Sequence, residues 1–203
     1  MRVYDQAIRH RYGTYRGLIR LWLAWLEWRL GRLSAFDSPD LSRVGRLVFV
    51  CLGNVCRSPY AHIVAVERLS SSGETLVASC GLSTTTGMPA DPDARRAARR
   101  VGRDLDSHAA TDLKDFEVRD DDLFLVMEVR QAHRLRARLV GSSAQIALLG
   151  VWSKPRRLHI HDPMTLSDGY FDSCYRSIES AVDTLVARWQ AARQAVSGSA
   201  ASG

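Results

Sequence analysis

Hydrophobic and polar positions follow two regimes along this chain. From Gly17 to Leu33 the run GLIRLWLAWLEWRLGRL has helical composition, with Gly only toward its ends. Wound at about 100° per residue, it gathers Arg16, Arg20, Glu27 and Gly31 on one narrow stripe and leaves Leu, Ile and Trp over most of the remainder. Residues 1–15 are polar and irregular, and Phe36–Arg43, with Asp37, Ser38, Pro39 and Asp40, reads as a linker. Beyond it the pattern alternates. Short apolar runs at Arg46–Val50, Leu76–Ala78, Leu123–Met127 and Ala144–Leu149 predict strands. Helical stretches at Pro59–Leu69, after Asp91-Pro92 up to Gly102, at Glu128–Leu139 and at Ser173–Gln194 fall between and after them. Strands separated by helices predict βαβ units and hence a three-layer α/β/α body on a four-stranded parallel sheet. The division expected is a helical extension and linker over 1–44, an α/β body over 45–194, and a flexible tail over 195–203.

Composition narrows the class. The 203 residues are 46% hydrophobic, a normal globular supply that excludes global disorder, collagen-like repeats and a small disulfide scaffold. No stretch of about 18 residues is free of charge, which argues against a membrane-spanning helix. The net charge of +6 is unevenly placed: residues 1–46 hold nine Arg and four acids, +5, whereas the remaining 157 hold 19 basic and 18 acidic side chains, +1. A nucleic-acid binder would need a basic face on the body, so none is expected. Four cysteines (Cys51, Cys56, Cys80, Cys174) without a secretory signal point to a reducing, cytoplasmic setting rather than to staples.

The informative chemistry follows the first strand: Cys51-Leu52-Gly53-Asn54-Val55-Cys56-Arg57-Ser58-Pro59. A strand-to-helix turn in a parallel sheet is where ligands bind, and the helix N-terminus presents unpaired N–H groups to an anion. Gly53 allows the positive backbone angle that curls such a loop; Asn54 tolerates it and can brace it. Arg57 adds a planar bidentate donor suited to phosphate or sulfate. Loop N–H groups, the helix end and Arg57 all favour a nucleophilic thiolate at Cys51. An ordinary Gly-Asn turn over a buried thiol is the bland alternative.

LVFVCLGNVCRSP closely resembles the signature of the low-molecular-weight protein tyrosine phosphatases. The resemblance continues from about Gly45 to Trp189, through Val77-Ala78-Ser79-Cys80-Gly81, Gly102–His108, Leu125-Val126-Met127-Glu128, Leu148-Leu149-Gly150 and His161-Asp162-Pro163. It implies a phosphotyrosine phosphatase that works through a cysteinyl-phosphate with no metal and no cofactor. Cys51 would attack, and Arg57 with the backbone amides of Leu52, Gly53, Asn54, Val55, Cys56 and Arg57 would hold the phosphate oxygens. Ser58 would assist the Cys51 thiolate as a leaving group, and a phosphotyrosine protein would be the substrate. Two Asp-Pro pairs compete for the general acid. Asp91 is fully explained as a helix N-cap, so the proton is assigned to Asp162, which matches the family's acid. The resemblance also makes His108 a brace for Asn54, with Ser79 in the same network, and Cys56 the partner of a reversible disulfide with Cys51.

Departures from the family bear on substrate preference. Met164-Thr165 follow Asp162-Pro163 where aromatic residues often flank the phosphotyrosine ring; the next aromatics are Tyr170-Phe171. Bacterial arginine phosphatases of similar fold carry Thr where Val55 stands, which keeps a phosphoarginine alternative open. A phosphate-binding module without turnover is another. Arsenate reduction would need a further close Cys pair, and Cys80 and Cys174 are far apart in sequence. His159-x-His161 lacks further convergent metal ligands. His62 stands where many members carry an acid. The Trp-rich face of 17–33 with its Arg neighbours suits peripheral contact with an anionic membrane, packing on the body, or a dimer contact.

Overall fold

The computed structural model of the protein describes residues 2–69 and 76–200. Four strands, β1 (Arg46–Cys51), β2 (Val77–Gly81), β3 (Asp122–Val126) and β4 (Gln145–Leu148), form one parallel sheet in the order β2-β1-β3-β4. Each lies within a few residues of the apolar run that predicted it. In register, Val48 of β1 sits beside Ala78 and Phe124, and Phe124 beside Ile146. Both faces are buried, and the two-residue strand period divides them. Leu47, Phe49, Leu123, Leu125 and Ala147 belong to one core; Val48, Val50, Phe124, Val126 and Leu148 belong to the other.

Among the described residues the α-helices are α1 (Arg2–Tyr12), α2 (Tyr15–Arg29), α3 (Arg57–Leu69), α4 (Pro92–Arg100), α5 (Val129–Arg138) and α6 (Asp168–Ala200). Residues of α3, α4 and α6 fill the first core, and Ala132 and Leu135 of α5 fill the second. The three-layer arrangement expected from the alternation is therefore present.

The termini depart from expectation. Residues 2–12, read as irregular, are helical: the apolar signal is weak because the helix is polar, with an Asp5–Arg9 pair at i,i+4 (3.0 Å) and packing against α6. Helix α2 begins at Tyr15, capped by Thr14 Oγ1 on Gly17 N (3.0 Å). It ends at Arg29, short of Leu33, where Gly31 takes a left-handed φ of 72°. The stretch 34–43 is not an open linker. It makes two short 3₁₀ turns, and Leu33 and Phe36 are buried in the core under β3 and α5. At the other end α6 starts five residues before Ser173 and continues to Ala200, through six of the nine residues expected to be a flexible tail; 201–203 lie outside the described residues.

Candidate active site

The C-terminal edge of the sheet collects the chemistry. Cys51 is the last residue of β1, buried, and the chain curls through residues 52–56 before Arg57 opens α3. The left-handed residue of the curl is Asn54, at φ 52°, and not Gly53, which departs from the sequence expectation. Asn tolerates that region because its amide replaces the hydrogen bonds a regular backbone would make. Here every polar group of Asn54 is engaged. Its Nδ2 donates to Ser58 Oγ (2.8 Å) and Ser79 Oγ (3.0 Å), and its Oδ1 accepts from Thr111 N (2.9 Å). Its carbonyl accepts from His108 Nε2 (2.7 Å), and its own N–H donates to Cys51 Sγ (3.2 Å). The carbonyl at Nε2 fixes the His108 tautomer with its proton there. Burial lowers the His108 pKa, against a smaller upward pull from that carbonyl. Loop, β2 and the 108–111 segment are thus tied through one side chain. A glycine is required where they meet: a Cβ on Gly81 would lie 3.1 Å from both the backbone nitrogen and Cβ of Asn54.

Cys51 Sγ also lies 3.0 Å from Ser58 Oγ, so a hydroxyl and a backbone amide converge on the sulfur. Arg57 is almost wholly buried (1% exposed), held by Glu128 Oε1 and the Ile160 carbonyl on Nη1 (2.8 and 2.9 Å) and by Asp162 Oδ2 on Nη2 (2.6 Å). Burial works against the guanidinium charge, but Asp162, Cys51 and Glu128 outweigh it and raise its pKa. Burial would push the Glu128 carboxyl up, yet Arg57 chiefly holds it down, at about 2. Arg57 Nε has no hydrogen-bond partner among the described residues, leaving that donor uncommitted.

Glu128 is the residue that sequence reasoning passed over. It lay inside a matched segment without a role; the signal was an acid directly after the apolar run Leu123–Met127, on the ligand-binding edge. It sits at the N-cap position of α5 yet makes no capping bond, because its carboxylate is committed to Arg57 and to Arg130 Nε (2.7 Å).

The two Asp-Pro pairs separate by geometry. Asp91 Oδ1 accepts from Asp93 N (2.9 Å) and Ala94 N (3.1 Å) as the N-cap of α4, with Pro92 opening the helix. Asp162 precedes no helix. Its segment runs alongside the end of β3, Ile160 N donating to Met127 O (2.9 Å), and turns at Thr165, a β-branched residue at a left-handed φ of 64°. The Asp162 carboxylate, 31% exposed, reaches both Arg57 and the open edge. Tyr170 and Phe171, the next aromatics after it, are buried in the core, and Tyr170 OH donates to the His161 carbonyl (3.1 Å). Neither stands at the mouth of the site, whereas Met164 is 40% exposed.

His161 Nε2 pairs with Thr14 Oγ1 (3.1 Å), a link across 147 positions that no local pattern foretells. His159 is buried, and burial lowers its pKa to about 4 despite an opposing pull from Glu128. Among the described residues no cluster of three or more His, Cys, Asp or Glu could hold a metal ion. His62 is half-buried near His108, and burial lowers its pKa to about 4. Cys56, Cys80 and Cys174 are buried free thiols, each pushed up chiefly by burial, Cys174 to about 12. Cys80 belongs to one core and Cys174 to the other, across the sheet, so they form no close pair of the kind arsenate reduction would need.

Known proteins resemble the body of this chain. A family model described as low molecular weight phosphotyrosine protein phosphatase matches residues 46–195. The probable low molecular weight protein-tyrosine-phosphatase EpsP of Ralstonia nicotianae is 32% identical over 145 residues, 71% of this chain and 96% of that one. The phosphatase Wzb of Salmonella typhi is 34% identical over 134 residues, 66% and 87% of the two chains. The crystal structure of the Erwinia amylovora tyrosine phosphatase AmsI superposes with a TM-score of 0.61 at 29% identity, covering 71% of this chain and 93% of that one. A YwlE arginine phosphatase from Geobacillus stearothermophilus has a TM-score of 0.60 at 22% identity over 72% of this chain and 93% of that one, a likeness of fold alone. Residues 1–45 lie outside the family match. From Arg46 to the last helix, this chain belongs to the low-molecular-weight protein-tyrosine-phosphatase family.

Proposed function

We propose that the protein hydrolyses phosphotyrosine in protein substrates by two in-line displacements at Cys51. The Cys51 thiolate attacks phosphorus; the S–P bond forms as the P–O bond to the tyrosine ring breaks, and Asp162 gives its proton to the departing phenolate. Arg57 Nε and the amides of residues 52–57 carry the charge on the non-bridging oxygens. The dianion competes with Asp162 for Arg57, which frees the carboxyl to face the leaving oxygen. Asp162, now a carboxylate, takes a proton from water as that water attacks phosphorus. The S–P bond breaks, Ser58 Oγ and Asn54 N receive the thiolate, and inorganic phosphate leaves. Asn54, Ser79 and His108 hold the loop in shape throughout. No metal or cofactor has a role in these steps.

The observation that supports this reading most is the convergence of Ser58 Oγ and Asn54 N on Cys51 Sγ, with Arg57 linked to Asp162 at the same sheet edge. A nucleophilic thiol suits a reducing cytoplasm. Cys56 is the proposed partner for a reversible disulfide: peroxide would oxidise Cys51 to a sulfenic acid, and the Cys56 thiol would displace water from it.

The test is a panel of phosphotyrosine, phosphoserine and phosphoarginine peptides with the full chain. Phosphotyrosine should lead in kcat/KM by about 100-fold or more, and Cys51→Ser should abolish turnover, a loss of at least about 10⁴-fold. Wild type and Cys51→Ser equally inactive while both bind inorganic phosphate would overturn the enzyme reading. Preference for phosphoarginine would overturn the substrate assignment.

A further inference from the structure

Helix α2 carries apolar residues on two sides. On its body side Gly17 and Ala24 are buried and Leu21, Trp25 and Trp28 half-buried, Trp28 against the second core; a Cβ on Gly17 would lie 2.2 Å from the Tyr12 carbonyl and 3.0 Å from the His161 ring. A second set of large apolar residues points outward. Tyr15, Ile19, Trp22, Leu23, Leu26 and Leu30 are 42–63% exposed. At about 100° per residue they fall within one 100°-wide stripe that runs the length of the helix. Surface apolar residues are ordinary when scattered; six in one stripe form a contiguous patch of the kind that marks an interaction site.

The surroundings of the stripe are cationic. Arg16 and Arg20 flank it on one side and Arg29 on the other, with exposed Arg32 just beyond the helix. Across a shallow pocket from Arg20 and Leu23 lie Arg130 and His133 of α5, a helix with four Arg and no acid. The acids nearby are few. Glu128 is buried against Arg57, Asp37 accepts from Trp28 Nε1 (2.8 Å), and Asp5, beside Tyr15, is paired with Arg9 (3.0 Å), which leaves Glu27 as the acid on α2 itself.

We propose that α2 is an in-plane anchor, its apolar stripe lying in the headgroup region of an anionic lipid bilayer and its Arg rim on the lipid phosphates. Fifteen residues make a helix of about 22 Å, shorter than the roughly 30 Å of a hydrocarbon core, so the helix lies along the surface. Among the described residues no helix is long and apolar enough to cross a membrane. A two-fold pairing of stripes would bring together two rims each carrying Arg16, Arg20 and Arg29 against the one acid Glu27, whereas anionic headgroups neutralise that excess. The stripe starts beside the active site: Tyr15 follows Thr14, whose hydroxyl pairs with His161, the neighbour of Asp162. Anchoring therefore sets the acid loop next to the lipid surface, where the accessible phosphoproteins are membrane-bound ones. This last step rests on the phosphatase reading; the anchoring does not.

The test is co-sedimentation of the full chain with vesicles of phosphatidylcholine alone and with about 30% phosphatidylglycerol. Partitioning should be at least about tenfold stronger into the anionic vesicles and should weaken as salt rises from about 0.1 to 0.5 M. The pair Trp22→Glu and Leu26→Glu should remove at least about tenfold of it while leaving the melting temperature and aryl phosphate hydrolysis in vesicle-free buffer unchanged. A chain that stays in the supernatant with both lipids overturns the proposal, as does a double variant that binds like wild type. A micromolar dimer in sedimentation velocity, dissolved by the same two substitutions, would overturn it in favour of a second copy on the stripe.

Discussion

The dipeptide Asp-Pro occurs twice ahead of a turn in this chain, and the two copies end in opposite employments. Asp91 turns its carboxylate back onto its own helix, where the Asp93 and Ala94 amides take up Oδ1. Asp162 has no helix to cap: its Oδ1 takes one longer bond from Met164 N (3.3 Å), and its Oδ2 reaches Arg57 at 2.6 Å. The difference arises in the residues after each proline. Asp93-Ala94-Arg95-Arg96 continues a helix at once, while Met164-Thr165-Leu166 turns through a left-handed Thr165, and α6 waits until Asp168. A capping site commits its carboxylate to two amides of its own helix and stabilises the fold; a site with one longer local bond, from Met164 N to Oδ1 (3.3 Å), keeps its other oxygen for chemistry. Both residues lie near the same loop, since Asp91 N donates to Val55 O (3.0 Å), so proximity alone does not decide the role.

The sharpest way to break this contrast is to neutralise each acid in turn. Asp162→Asn should lower kcat on phenyl phosphate about 10²–10⁴-fold with little loss of stability. The loss should shrink on p-nitrophenyl phosphate, whose leaving group needs less protonation. Asp91→Asn should leave kcat within about threefold, because an amide oxygen still caps α4. Steady-state kinetics on the two esters checks both, and a leaving-group dependence in Asp91→Asn instead would reverse the assignment.

What makes the second aspartate useful is where Arg57 stands, and that depends on Glu128. The guanidinium and this carboxylate are both buried and paired at 2.8 Å. Removing one partner of such a pair strands the other, so Glu128→Gln should destabilise the fold by about 3 kcal/mol, the lower end for buried pairs because Asp162 remains. Urea unfolding at pH 7 measures it. No comparable loss is expected around Asp91, whose carboxylate has backbone partners only.

How much of this was legible beforehand depends on how far apart the partners stand. The phosphate loop is contiguous, so Cys51, Asn54, Arg57 and Ser58 could be read in place, and the strand–loop–helix order put them at the correct sheet edge. The four strands and α3 to α5 were equally readable, because each is a short run bounded by its own punctuation. Glu128 stood in plain sight, but its role needs β1 and β3 side by side, which only the register supplies. The Thr14–His161 contact joins residues 147 apart and left no local trace. The orientation of α2 was ambiguous for a different reason. A helical wheel shows a wide apolar face with large residues on both sides, and only the packing shows that Gly17, Ala24 and Trp28 turn inward while Trp22, Leu23 and Leu26 stay exposed. The polar helix α1 is held by packing against α6, information absent from its own eleven residues.

The acid segment also differs from the Asp91 cap in its response to pH. His159, buried among Glu128, His161, Arg57 and Arg20, has its folded pKa lowered to about 4, chiefly by burial. Unfolded, it would titrate near 6.5, so between about 6.5 and 4 the unfolded chain binds a proton that the folded one refuses. Its contribution is therefore fully present above about pH 6.5 and is lost as pH falls toward 4, at most about 3 kcal/mol. Half-buried His62, lowered to about 4 in the same way, adds a slope of the same sign. Urea midpoints at pH 7 and pH 5 for wild type and His159→Gln should diverge, with the smaller drop in the variant. Equal drops would place the acid lability elsewhere.

The finest test compares two caps that share one geometry. Thr14 and Asp91 both accept from first-turn amides of the helices they open, at 3.0 Å and 2.9–3.1 Å. Replacing either with Ala should cost about 1 kcal/mol in stability, the ordinary worth of an N-cap. Thr14 differs in that the same hydroxyl also holds His161, one residue from Asp162. Thr14→Ala should therefore lower kcat by about two- to fivefold at unchanged KM, with a steeper dependence on leaving group, whereas Asp91→Ala should move stability alone. Thr14→Ser keeps the hydroxyl and should restore both quantities. If Thr14→Ala shifts only the melting temperature, the N-terminal hairpin braces the acid loop no more than any cap braces its helix, and Asp162 owes its position to Arg57 and β3 alone.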